Sequence, residues 1–80
     1  MTALEIQNLI ENFIACEVCH IDGDGRHWYA TVVSASFEGV RTIARHQKVY
    51  AAMGTRMKTD EVHALSIKAH TPAEWAVLTA

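Results

Sequence analysis

Eighty residues, half of them apolar, make one small domain spanning 1–80; at this length a chain buries roughly 60 to 65 % of its unfolded surface, so one modest core takes nearly all of it and no deep pocket is expected. The net charge of −2 is unevenly placed: Arg41, Arg45, Lys48, Arg56 and Lys58 lie where no acid falls between Glu38 and Asp60, and the remainder sets two basic residues against nine acidic ones. That asymmetry points to an anionic partner for one face, with a solvated helix face as the plain alternative, and no run approaches the ~20 apolar residues a membrane span needs.

In chain order, Thr2 with Glu5 three residues on is a capping box, and Leu4, Ile6 or Leu9, Ile10, Phe13 and Ile14 recur at helical spacing, which predicts a helix over 3–14. The same N-terminus lacks a basic start and an apolar run of signal type, so a cytoplasmic protein with two reduced thiols is expected. Strands are expected over 16–22 and 27–34, joined by the turn Gly23-Asp24-Gly25-Arg26. Alternation in the second strand leaves its buried face open between Trp28 and Tyr29, with Trp28 favoured. A long helix is expected over 41–56, with Ile43, Tyr50, Met53 and Met57 on its apolar side and Arg41, Arg45, Lys48, Ala52 and Arg56 along the other. A third strand over 63–69 leads into Thr71-Pro72-Ala73-Glu74, a capped helix start with Pro at its first position. The order is α-β-β-α-β-α: an α+β two-layer domain with a three-stranded mixed sheet and helices on one side, type II KH-like.

Cys16-Glu17-Val18-Cys19-His20 has the spacing of a c-type haem attachment site. Within a strand, however, Cys16 and Cys19 point to opposite faces. On that reading they cannot grip one haem, zinc or redox centre, and they count as small strand residues.

The element order has a geometric consequence. A βαβ crossover makes strands two and three parallel, and consecutive elements tend to be neighbours. His27 opens one strand and His63 the other, and neighbouring strands are about 4.8 Å apart. Two imidazoles at one sheet edge can hold part of a metal centre while leaving its other positions to a partner. The plain alternative is a pair of ordinary surface histidines.

Phe37-Glu38-Gly39, Arg45-His46, Val49-Tyr50, Val62-His63-Ala64-Leu65-Ser66-Ile67 and Thr71-Pro72-Ala73-Glu74-Trp75 together resemble the signature of the BolA family, most closely its short-looped, IbaG-like branch, from about Glu5 to Trp75. The resemblance implies a non-enzymatic adaptor in the assembly, trafficking or sensing of [2Fe-2S] clusters and in stress response. It implies His63 as the cluster ligand and His27 as the second, with a monothiol glutaredoxin and its glutathione supplying sulphur. His46 also fits the family pattern, which leaves it open between ligation and a structural or partner-contact role. The isolated chain is then expected to carry no cluster and to be a monomer or weak homodimer.

The competing class is DNA binding by the basic face, Arg41, Arg45, His46, Lys48 and Arg56, through salt-sensitive phosphate contacts. A KH module clamps nucleic acid with a Gly-x-x-Gly loop, which this sequence lacks, so partner docking is preferred for that face. No Gly-x-Ser-x-Gly, Walker or His-Glu-x-x-His motif is present, and no enzyme is expected.

Overall fold

Thr2 caps the first helix as its spacing requires: its Oγ1 accepts the Glu5 N–H at 3.2 Å, and its own N–H donates to Glu5 Oε1 at 3.1 Å. The computed structural model describes residues 1–57 and 64–80. α1 runs Ala3–Phe13 and buries Ile6 and Ile10, with Ile14 at its C-cap completing the stripe. Leu4 and Phe13, both expected on the apolar side, face solvent. Their spacing is helical, but the Ile6–Ile10–Ile14 row is the one that meets the sheet.

β1 (Val18–Gly23) pairs antiparallel with β2 (His27–Val33), and β2 pairs parallel with β3 (Ala64–His70), giving the order β1-β2-β3. Trp28, Ala30 and Val32 face the core, which settles the alternation in favour of Trp28; Tyr29 is exposed. Between β2 and the second helix, Ser34 caps a 3-10 turn over Ala35–Phe37. Phe37 is fully buried and belongs to the same core cluster as Val32, Val49 and Met53.

α2 covers Thr42–Ala52, shorter than expected at its C-terminal end. Met53 closes the last turn and Gly54 takes φ 62°, a left-handed conformation that glycine enters without a Cβ penalty. The buried face of α2 is Val49 and Ala52 with Met53 behind them, so Ala52, expected along the basic side, turns inward, whereas Ile43, expected inside, is 69 % exposed. Tyr50 is also largely outside, its hydroxyl donating to the Leu65 carbonyl at 3.0 Å. α3 (Pro72–Thr79) begins with a second capping box, between Thr71 and Glu74. It buries no residue fully; Trp75 stacks on His70 with centroids 5.9 Å apart.

The hairpin closes on Gly23, where the backbone comes very close to its neighbours. A Cβ there would collide with the His27 carbonyl and lie 2.7 Å from the Trp28 ring. Gly23→Ala is therefore expected to cost about 1–3 kcal/mol through forced displacement, read as a lower urea midpoint. An unchanged midpoint would mean that the turn shifts freely.

Candidate functional site

His27 stands exposed at the start of β2, and the chain before it is built to hold it there. Asp24 Oδ1 accepts the N–H groups of both Arg26 and His27 at 2.9 Å, and the Asp24 N–H donates to the His27 carbonyl at 3.2 Å. This is an Asx-type turn, in which a short carboxylate mimics a backbone acceptor. The His27 and Arg26 N–H groups hold the Asp24 carboxyl below its ordinary value. Its support of the turn is thus present above the usual carboxylate range and is lost only as pH falls through a lower one. The Asp-Gly dipeptide marked a turn in the sequence; that its carboxylate fixes the backbone of a candidate ligand could be seen only with His27 in place.

The β2–β3 ladder continues the arrangement. His27 pairs with Ala64, and the Ala64 N–H donates to the Arg26 carbonyl at 3.1 Å. The expected parallel, neighbouring strands are therefore present. His63, the residue before Ala64 in sequence, lies outside the described residues, as does Lys58.

The basic stripe does not survive as one face. Arg45 is turned into the molecule, its side chain only 11 % exposed. Its Nε donates to the Val40 carbonyl at 2.7 Å, and its Nη1 to the Ala69 carbonyl at 3.1 Å and to Glu74 Oε1 at 2.6 Å. The guanidinium also lies 5.9 Å from the Phe37 ring centroid. This side chain ties α2 to β3 and α3. The Arg45 hydrogen bond, followed by that from the Thr71 N–H, draws the Glu74 carboxyl from the usual 4.5 down to about 2. Arg56 follows the end of α2 and donates to the Met53 carbonyl at 3.4 Å. Arg41, at the N-cap of α2, and Lys48, within it, are exposed, and His46 is half-buried. His46 instead lines an open groove of about 590 Å³ between α2, β3 and α3, with Ile67, Lys68, His70, Val77 and Leu78. Val77 is 78 % exposed there, so the groove offers apolar surface rimmed by Lys68, the His46 and His70 imidazoles and the Glu74 carboxylate.

The two thiols also depart from expectation. Cys16 precedes β1, so strand alternation does not govern it; its thiol donates to the Ile14 carbonyl at 3.1 Å, and both Cys16 and Cys19 pack half-buried against the core. Burial first, then the charges of Cys16 and Glu11, push the Cys19 thiol up to about 12; burial and Glu11 raise Cys16 as well. Such thiols are poor nucleophiles at neutral pH. Among the described residues no three His, Cys, Asp or Glu side chains converge as a metal site, and no helix is long and apolar enough to cross a membrane.

A family model described as BolA-like protein matches residues 2–74. The acid stress protein IbaG of Escherichia coli (strain K12) is 38 % identical over 72 residues, 90 % of this chain and 86 % of that protein. The structure of a bolA protein homologue from Coxiella burnetii aligns with a TM-score of 0.79 at 37 % identity, covering 95 % of this chain and 97 % of that one. The solution structure of BolA1 from Mus musculus gives 0.82 at 30 % identity, covering 98 % and 71 %.

Proposed function

The chain belongs to the BolA-like protein family, in its IbaG-like branch, and from that membership we propose that it is a non-enzymatic adaptor that shares a [2Fe-2S] cluster, as cargo, with a monothiol glutaredoxin and its glutathione in the cytoplasm. The observation that carries this reading is the register at one sheet edge: exposed His27 is held by the Asp24 turn, and the strand that follows His63 begins directly beside it at Ala64. An imidazole so placed can reach a cluster held on another protein's surface. His63 is assigned as the principal nitrogen ligand and His27 as the second, the partner supplying sulphur. Imidazole in place of thiolate on one iron raises the reduction potential and makes a ligand that protons can displace.

Docking is assigned to the groove containing His46 and Lys68 together with exposed Arg41 and Lys48. The DNA-binding alternative loses Arg45 from its contact set, because that guanidinium is spent inside the fold. Mixing the purified protein with a [2Fe-2S]-loaded monothiol glutaredoxin should give a one-to-one complex with a new visible circular dichroism spectrum. The glutaredoxin spectrum left unchanged, together with retention of duplex DNA at physiological salt, would replace the adaptor by the DNA-binding reading.

A further inference from the structure

Among the described residues β3 ends the sheet order, and the edge of a sheet ordinarily invites another strand to pair with it. Two side chains from α2 stand in the way. Tyr50 Oη donates to the Leu65 carbonyl at 3.0 Å and Arg45 Nη1 to the Ala69 carbonyl at 3.1 Å, and the Ile67 carbonyl between them points to the same side, since strand geometry repeats every two residues. Strand addition is blocked there. The groove between α2, β3 and α3 offers side chains instead: half-buried Ile67, and Val77 and Leu78 exposed at 78 % and 62 %. Because α3 buries none of its residues fully, its apolar wall is open to another molecule.

The ionisable groups facing this space are Arg45 and His46 from α2, Lys68 and His70 from β3, and Glu74 from α3. Arg45 and Glu74 cancel. Their atoms lie 2.6 Å apart, and the bond holds the Glu74 carboxyl down at about 2, so this pair keeps its charges throughout the range from about pH 5 to about pH 8 in which histidines titrate. The Lys68 ammonium and two imidazoles remain, with no other carboxylate among the described residues of the lining. His70 is fixed in place by its stack on Trp75. Lys68 and His70 stand about 6.6 Å apart along β3, with His46 on the facing helix, so the group they suit is a row of carboxylates on an apolar segment and not one small anion. The net charge of the groove is +1 from Lys68 with both imidazoles neutral, and +3 with both protonated.

We propose that the groove receives an amphipathic helix of the docking partner, its apolar side chains against Ile67, Val77 and Leu78 and its carboxylates against Lys68, His46 and His70, and that protonation of the two imidazoles tightens the grip. Laying an apolar helix face into a groove is a common mode of recognition where strand addition is closed. The assignment rests on the docking reading above and adds the partner's chemistry and the sign of its pH dependence. Carboxylates favour the charged form of a neighbouring imidazole, so the complex binds protons more readily than the free chain, and affinity rises as pH falls.

The probe is a labelled peptide helix of leucine, alanine and glutamate, read by fluorescence anisotropy beside a counterpart with glutamine for glutamate. The intact chain should bind the acidic peptide roughly tenfold tighter at about pH 5.5 than at about pH 7.5, each exposed pair contributing a few-fold, and should bind the glutamine peptide with no such change. The double variant His46→Gln with His70→Gln should flatten the dependence; comparing the two chains at each pH cancels the titration of the peptide itself. His46→Gln alone, which keeps the Trp75 stack, should remove part of the change and serves where the double variant unfolds. Cluster-free monothiol glutaredoxin is titrated in parallel. The groove assignment is overturned if the acidic peptide does not bind, if it binds no tighter at the lower pH, or if the folded histidine variants keep the full dependence. Glutaredoxin that binds at no pH, while the peptide follows the expected course, would instead remove the docking reading and leave the groove chemistry standing.

Discussion

Replacing His27 and His63 together by alanine is expected to abolish the visible circular dichroism of the mixed cluster formed with a monothiol glutaredoxin. A neutral imidazole gives the iron a lone pair, and a methyl group gives it nothing. His63→Ala alone should remove or greatly alter the spectrum, and His27→Ala should act in the same direction with smaller amplitude. The His27 variant should stay folded, because its side chain is exposed and the Asx turn is made by its N–H, which alanine keeps. Acidification through the range where histidine protonates should mimic the double variant while the complex holds together. A mixed cluster with unaltered dichroism in the double variant would end the ligand assignment and leave surface histidines on a docking domain.

Arg45→Ala should be the most damaging single change on α2. It deletes the donors to the Val40 and Ala69 carbonyls and to Glu74. Leaving the two part-buried carbonyls without this partner costs about 1–3 kcal/mol together, with the weaker, exposed bond to Glu74 adding little, and the packing over Phe37 goes too. A total of about 3 kcal/mol is expected, equivalent to roughly 15 °C in Tm at ~5 °C per kcal/mol for a domain of this size. Arg45→Lys should restore little, since an ammonium cannot span three acceptors with a planar fork. The carboxylate half of the pair sets the pH dependence. Because Glu74 is depressed to about 2, its stabilising contribution is fully present above the usual 4.5, fades as pH falls toward 2, and is absent below it. Glu74→Gln should flatten that acid limb with a smaller loss at neutral pH. An Arg45→Ala midpoint within about 1 kcal/mol of the parent would refute the staple.

Much of the fold was written locally. Thr2 with Glu5 and Thr71 with Glu74 are capping boxes that need only three residues of separation, and the strands on either side of Gly23-Asp24-Gly25-Arg26 follow from turn chemistry. The parallel edge shared by His27 and Ala64 follows from element order, because a βαβ crossover constrains direction. The family signature spread along the chain was legible for the same reason, being a pattern of residues and not of contacts.

What the sequence could not contain is which of several equivalent rows meets the core. Periodicity states that α2 has two sides; packing against β3 chose Val49, Ala52 and Met53, sent Ile43 outward, and drew Arg45 in, because three acceptors from Val40, Ala69 and Glu74 converge where its long side chain reaches. The cysteines show the same division. Alternation holds only inside a strand, and Cys16 lies before β1 on a segment whose path is set by bonds to Ser34 and Val33, so two thiols assigned to opposite faces both pack against the core. Residue type and short-range spacing determined the elements and the candidate ligands. Long-range hydrogen bonds and close packing, which depend on partners tens of residues away, decided which charges are spent on the fold and which are left to meet other molecules.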